Sequence, residues 1–306
     1  MSTDAHGFLR GKRLVIFGAG YVGAALARRA LQAGSSVTAL TRNPVTAAAL
    51  AESGAQAVIA DLAADDWHDR IPADAPLVVN CVASGGGGPE AYRRSYVDGL
   101  ASILRWVRRS DRPGALAYTS STSVYPQDGG VRVDEEAPTG PAEGNAAVLL
   151  EAEQRALAWP GRATVLRLAG IYGPGRHHLL DQLRTGTDAV PGVGGYHLNL
   201  IHRDDIVEAL VCALGAGDTG AERIFNVADD GAATKAEVMA WLAGRLGRPA
   251  PTFSGEPAPG RRRITPDRII ANDRLKRVLG WQPRYPTFRE GYAALLAEGP
   301  ANDAGH

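Results

Sequence analysis

The chain has 306 residues, 45% hydrophobic and 22% charged, enough to bury a large core as one large or two smaller domains. Its 33 basic and 33 acidic residues balance, so no net field gathers nucleic acid or an acidic membrane surface, and the short Arg108-Arg109 and Arg261-Arg262-Arg263 pieces read as solvated faces. The two cysteines, Cys81 and Cys212, lie in apolar runs and read as buried small hydrophobes rather than a disulfide or metal pair; with no leading signal segment and no long apolar run, a cytoplasmic location away from membranes is the expectation.

In chain order, an apolar run from Arg13 to Phe17 enters Gly18-Ala19-Gly20-Tyr21-Val22-Gly23, and a small-residue helical pattern follows through Ala33. Strand, tight turn and helix in that order give the Gly-x-Gly-x-x-Gly its dinucleotide-binding context. The glycines let backbone approach a pyrophosphate, and the helix N-terminus offers free N–H groups and a dipole. The competing reading is a plain tight turn. Further strands are predicted at Ser36 to Thr41, Gln56 to Asp61, Leu77 to Ala83, Ala115 to Ser120 and Thr164 to Ile171, with helices at Pro44 to Glu52, Ala91 to Arg109 and Glu143 to Ala158. This alternation predicts an α/β fold of Rossmann type, a doubly wound parallel sheet over residues 1–172. Right-handed crossovers place the strand ends at Gly18, Thr41, Asp61, Ala83 and Ser120 along one crevice, with Asn80 to Ala83, including Cys81, beneath the pyrophosphate and nicotinamide ribose. Beyond residue 173, Gly- and Pro-rich pieces (Gly173-Pro174-Gly175, Pro191 to Gly195, Pro257 to Gly260) separate a helix at Asp204 to Leu214, a strand at Ile224 to Ala228 and a helix at Lys235 to Leu246. Residues 173–306 are therefore expected to form a smaller substrate lobe, some of its elements interleaved with the first.

The second strand ends Ala39-Leu40-Thr41-Arg42, with no Asp or Glu to hold both ribose hydroxyls. NADP is the expected cofactor, Arg42 holding its extra phosphate; the alternative has Arg42 pointing to water.

Four further segments carry a resemblance. They are Thr119-Ser120-Ser121-Thr122-Ser123-Val124-Tyr125; Arg167-Leu168-Ala169-Gly170-Ile171-Tyr172-Gly173-Pro174-Gly175; Asn199 to Ile206, with Ile201-His202-Arg203-Asp204-Asp205-Ile206; and Leu279-Gly280-Trp281-Gln282-Pro283. Together with the glycine turn they resemble the extended or atypical short-chain dehydrogenase/reductases of the NAD-dependent epimerase/dehydratase group, over nearly the whole chain, and most of all the YeeZ-like subgroup that lacks the usual catalytic tyrosine. The resemblance implies that Asp61 with Leu62 contacts adenine, that Ser120 and Arg167 belong to the cofactor site, and that Ser121 matches the serine that hydrogen-bonds the reacting oxygen, a capping or turn hydroxyl being its alternative. Tyr125 reads as a packing residue.

One departure stands out. The family's Tyr-x-x-x-Lys precedes Leu-Glu-Ala-Glu, here Leu150-Glu151-Ala152-Glu153, which sets Asn145 at the tyrosine and Leu149 at the lysine. A carboxamide exchanges no proton at neutral pH, and leucine tunes no neighbour. The candidate catalytic residues are then Ser121, His177 as a pH-poised acid, and Tyr172 at the end of the sixth strand, a ring packed on the cofactor being the alternative for Tyr172 and a solvated loop the alternative for His177 and His178. His202 is expected to brace the loop before a helix that Asp204 or Asp205 caps, and no metal site is expected. The resulting reading is an NADP-dependent oxidoreductase acting on a small carbonyl, hydroxyl or imine substrate with a noncanonical proton donor. The alternatives are a sugar-nucleotide epimerase or dehydratase, or an NADP-binding pseudoenzyme serving as sensor or scaffold. The helices at 91–109 and 143–158 are the candidate interface of a homodimer.

Overall fold

The computed structural model describes residues 5–84, 86, 88–186, 189–256 and 265–298. The Pro257 to Gly260 piece and the Arg261-Arg262-Arg263 run lie outside the described residues. Seven parallel strands form the central sheet in the order Ile224–Val227, Ala163–Leu168, Ala115–Ser121, Leu77–Asn80, Arg13–Phe17, Ser36–Thr41, Gln56–Ile59. The winding reverses between Leu77–Asn80 and Arg13–Phe17, whose register pairs Phe17 with Asn80, and such a reversal opens a crevice at the strand C-terminal ends.

Side chains alternate across a strand, so the first strand feeds two cores. Leu14 and Ile16 enter one, with Leu26 of helix Tyr21–Gln32 and Leu210 of helix Arg203–Gly215. Val15 and Phe17 enter the other, with Leu100 and Trp106 of helix Gly99–Val107 and Ala152 of helix Gly144–Leu157. There Phe17 meets the rings of Trp67 and Trp106 at 4.9 and 5.2 Å. A third core is built on Leu180, Leu183, Leu242, Phe288 and Tyr292, all from the second half of the chain. None of the helices among the described residues is long and apolar enough to cross a membrane.

Three elements differ from the sequence expectation. The run from Thr164 to Ile171 is two strands. Ala163–Leu168 stays in the central sheet, while Gly170–Tyr172 turns away to pair with Leu200–His202, the Gly170 amide donating to Asn199 O at 2.8 Å. Ile224–Val227 pairs with Ala163–Leu168 as the edge strand of the central sheet, although it lies in the chain's second half. The long helix expected over 91–109 is interrupted: Gly88–Arg93 is α-helical, Arg94–Asp98 is a π-helical turn, and Gly99–Val107 resumes the α-helix.

Candidate active site

At the end of the first strand, Gly18 adopts φ +84°, and a Cβ there would lie 2.5 Å from Val82 N. Its amide and that of Ala19 both donate to Leu40 O at 3.1 Å, which ties the turn to the second strand. A Cβ at Gly23 would lie 2.5 Å from Gly18 O and 2.9 Å from Cys81 Sγ, so the helix packs directly on the turn. Gly20 is the exception, since a Cβ there would meet nothing within 4 Å. It opens onto the cleft at the start of helix Tyr21–Gln32, whose N-terminus has no side-chain cap. Backbone crowded on its protein side, open on its cleft side, and uncapped amides fit a pyrophosphate.

The cleft is about 570 Å3, and Gly18, Gly20, Tyr21, Val22, Thr41, Arg42, Asp61, Leu62, Cys81, Ala83, Ser120 and Ser121 of the sequence-derived site all line it. At one end Arg42 is exposed, and Asn43 caps the next helix, its Oδ1 accepting from Val45 and Thr46 N at 2.8 and 3.3 Å. Asp61 accepts from Ala63 N at 3.0 Å and from Arg94 Nε and Nη2 at 3.1 and 2.7 Å. Partial burial opposes its ionisation, yet Arg94 and the Ala63 amide outweigh that and hold the carboxyl below its usual range.

Toward the other end, the Cys81 thiol donates to Gly18 O at 3.3 Å, and burial pushes it up to about 12. The Tyr21 hydroxyl donates to Pro174 O at 3.0 Å, and the guanidinium carbons of Arg203 and Arg176 lie over its ring at 5.3 and 5.6 Å from the centroid. This latches the Gly173-Pro174-Gly175 loop onto the glycine turn. Burial pushes the Tyr21 phenol up to about 12. Ser121 Oγ accepts from Ser123 N at 3.2 Å, so it caps a short turn while still lining the cleft. Ser120 Oγ donates to Glu153 Oε1 at 2.6 Å, and behind Glu153 runs a buried network. Arg167 donates to both Glu153 oxygens, at 2.9 and 2.6 Å, and to the Tyr125 hydroxyl at 2.8 Å, which itself donates to Asn226 Oδ1 at 2.9 Å.

Three expectations are corrected by this geometry. Arg167 is not among the cleft-lining residues; its guanidinium is consumed beneath the floor by Glu153 and Tyr125. Tyr172 faces the third core because strand alternation gives the cleft to Ile171 instead. Its ring stacks on Tyr292 at 4.7 Å and meets His202 edge-on at 5.3 Å, and its buried hydroxyl has no hydrogen-bond partner among the described residues. His177 does not line the cleft either, for the loop presents Arg176 there. The imidazole Nδ1 sits 2.9 Å from both Asp181 oxygens at the start of helix His178–Arg184.

His202 itself caps helix Arg203–Gly215, its Nδ1 accepting from Asp204 N at 3.2 Å, while burial pulls the ring down to about 4. Asp205 reaches the other way, accepting from Arg284 and Tyr285 N at 2.6 and 3.1 Å, so it anchors the C-terminal segment rather than capping the helix. Asn145 is exposed on the first turn of helix Gly144–Leu157, and Leu149 is fully buried in the first core. Cleft residues that sequence reasoning missed include Arg94, Tyr96 and Arg176. The π-helical turn at 94–98 brings the first two in, and no periodicity in the sequence signals it.

The model of the NAD dependent epimerase/dehydratase family matches residues 14–228. Protein YeeZ of Escherichia coli (strain K12) is 29% identical over 284 residues, covering 90% of this chain and 97% of that protein. A 3-diazoavenalumate denitrifying reductase from a Streptomyces species is 30% identical over 224 residues, 66% of this chain and 72% of the reductase. A UDP-glucose 4-epimerase of Corynebacterium glutamicum is 27% identical, covering 91% of this chain and 92% of the epimerase. With the parallel sheet, the crowded glycine turn and a match spanning the whole cleft-forming part, the chain belongs to the NAD dependent epimerase/dehydratase family.

Proposed function

We propose that the protein is an NADP-dependent oxidoreductase acting on a small carbonyl, hydroxyl or imine compound. Arg42 carries the cofactor choice. It stands exposed at the end of the second strand and on the cleft, where a carboxylate would repel a 2′-phosphate. The acid among the cleft-lining residues, Asp61, is already neutralised by Arg94. When bound, the cofactor supplies hydride chemistry, and the chain's own part is to hold its pyrophosphate at Gly18 to Gly23, its adenosine end at Arg42 and Asp61, and its reactive end beside Ser121. NADPH is expected to bind more tightly than NADH by fluorescence titration, and Arg42→Ala should lose about 1.5–3 kcal/mol of NADPH affinity with little change for NADH. Equal affinities in the unaltered protein would overturn the assignment.

For the chemistry, a named reductase among the relatives and the lack of phenol and amine at 145 and 149 favour hydride transfer to an exogenous substrate. The relative named as a UDP-glucose 4-epimerase supports the second reading. The two part on stoichiometry, because a reductase consumes one NADPH per turnover and an epimerase returns its cofactor unchanged. Ser121→Ala is expected to cost about 100-fold in kcat/KM, as for a donor to a developing oxyanion. Asn145→Ala and His177→Ala should leave that ratio nearly unchanged, since neither side chain lines the cleft. Equal losses in all three variants would refute the placement of the reacting oxygen at Ser121.

A further inference from the structure

A proton must reach the substrate if hydride does, and the groups lining the cleft narrow the source. Arginine side chains stay protonated. Asp61 is bound in an ion pair at the adenosine end. The Cys81 thiol and the Tyr21 hydroxyl each donate to a backbone carbonyl, of Gly18 and Pro174 respectively. Tyr96 is left.

Its position is made by the π-helical turn Arg94–Asp98. In a regular helix three successive residues spread over about 200° of the circumference. Here Arg94, Ser95 and Tyr96 all line the cleft. The turn carries Arg94, paired with Asp61, and Tyr96 on one wall of the cleft, and the Ser84 backbone and the Tyr92 side chain partly offset the rise that burial gives the Tyr96 phenol. The Tyr92 and Tyr96 rings lie 4.6 Å apart. Ser84 directly follows Ala83, and Ser121 lines the same cleft from the end of the fifth strand.

We propose that Tyr96 is the residue that exchanges a proton with the substrate oxygen, in place of the phenol that Asn145 does not supply. This rests on the oxidoreductase reading above. With hydride supplied to the carbonyl carbon by a bound reduced nicotinamide, the oxygen would take the Tyr96 proton as the phenol O–H breaks, and the phenolate would recover a proton from water. The Ser84 backbone and the Tyr92 side chain favour that phenolate, against the larger effect of burial. The groups facing Tyr96 are Tyr92, just before it in the chain, and Tyr118 on the fifth strand. Burial holds the phenol above its usual value, so it is a donor at neutral pH. The positive charge of a bound oxidised nicotinamide would lower it.

That charge gives a test independent of activity. NADP+ and NADPH are titrated separately into the unaltered protein and into Tyr96→Phe, Tyr92→Phe and Tyr21→Phe near pH 10, the ordinary range of tyrosine. NADP+ should generate about one equivalent of tyrosinate in the ultraviolet difference spectrum, and its affinity relative to NADPH should rise about tenfold for each unit by which it lowers the phenol. Tyr96→Phe should abolish both effects while binding NADPH normally. Survival of the signal in Tyr96→Phe, or its loss only in Tyr92→Phe or Tyr21→Phe, overturns the proposal and leaves the cofactor reading intact. Failure of the unaltered protein to bind either cofactor overturns both.

Discussion

Glu153→Ala is expected to destabilise the fold by about 3–5 kcal/mol, the scale of removing one partner from a buried ion pair. Glu153 and Arg167 have side chains only 3% and 5% exposed, and the pair is bidentate. Without the carboxylate, a guanidinium is stranded between Tyr125 and the Ser120 hydroxyl, which loses its acceptor at the same time. The guanidinium lies beneath the cleft floor, away from water. Replacing both members by apolar residues of similar volume, Glu153→Leu with Arg167→Met, should recover much of the loss, because the cost lies in the unpaired charge rather than in the missing pair. Urea unfolding of the single and double variants measures this. A single variant that loses less than about 1 kcal/mol would place the pair among those worth little, as at a surface. The network also holds Ser120 at the cleft floor, so the single variant should weaken cofactor binding even where it remains folded.

The second large effect separates two glycines of the same turn. Gly20→Val should leave the melting temperature almost unchanged, since its Cβ meets no protein atom within 4 Å, yet NADPH binding should fall below detection because the side chain occupies the pyrophosphate's approach. Gly23→Val should do the opposite first. Its Cβ would collide with the Gly18 carbonyl at 2.5 Å and with Cys81 Sγ at 2.9 Å, so the helix must move off the turn and the fold itself loses stability, by about 1–3 kcal/mol or more. Calorimetry beside fluorescence titration distinguishes the two. Wild-type NADPH affinity in Gly20→Val would mean that the turn is structural only.

Local rules made much of the molecule legible from residues alone. Parallel strands buried on both faces read as apolar runs, and the glycine turn announces itself because backbone crowding at Gly18 and Gly23 leaves no room for a Cβ. The order of strands and helices through the fifth strand, the crevice at their ends and the cleft positions of Arg42 and Asp61 follow from such local patterns, while Ser121 follows from the family resemblance. The absence of a phenol at 145 is likewise a plain fact of the chain.

Tertiary structure decided which way the landmarks face. Tyr172 and Ile171 are adjacent, and strand pairing with Leu200–His202 sets the parity that sends one ring into the third core and the other side chain to the cleft. Arg167 is diverted because a helix residue fourteen positions earlier, Glu153, meets it under the floor. Ile224–Val227 returns to the central sheet through pairing that local propensity does not encode. Tyr96 enters the cleft because a π-helical turn shifts the helical phase, and apolar periodicity, averaged over a helix, is blind to a change of phase within one turn.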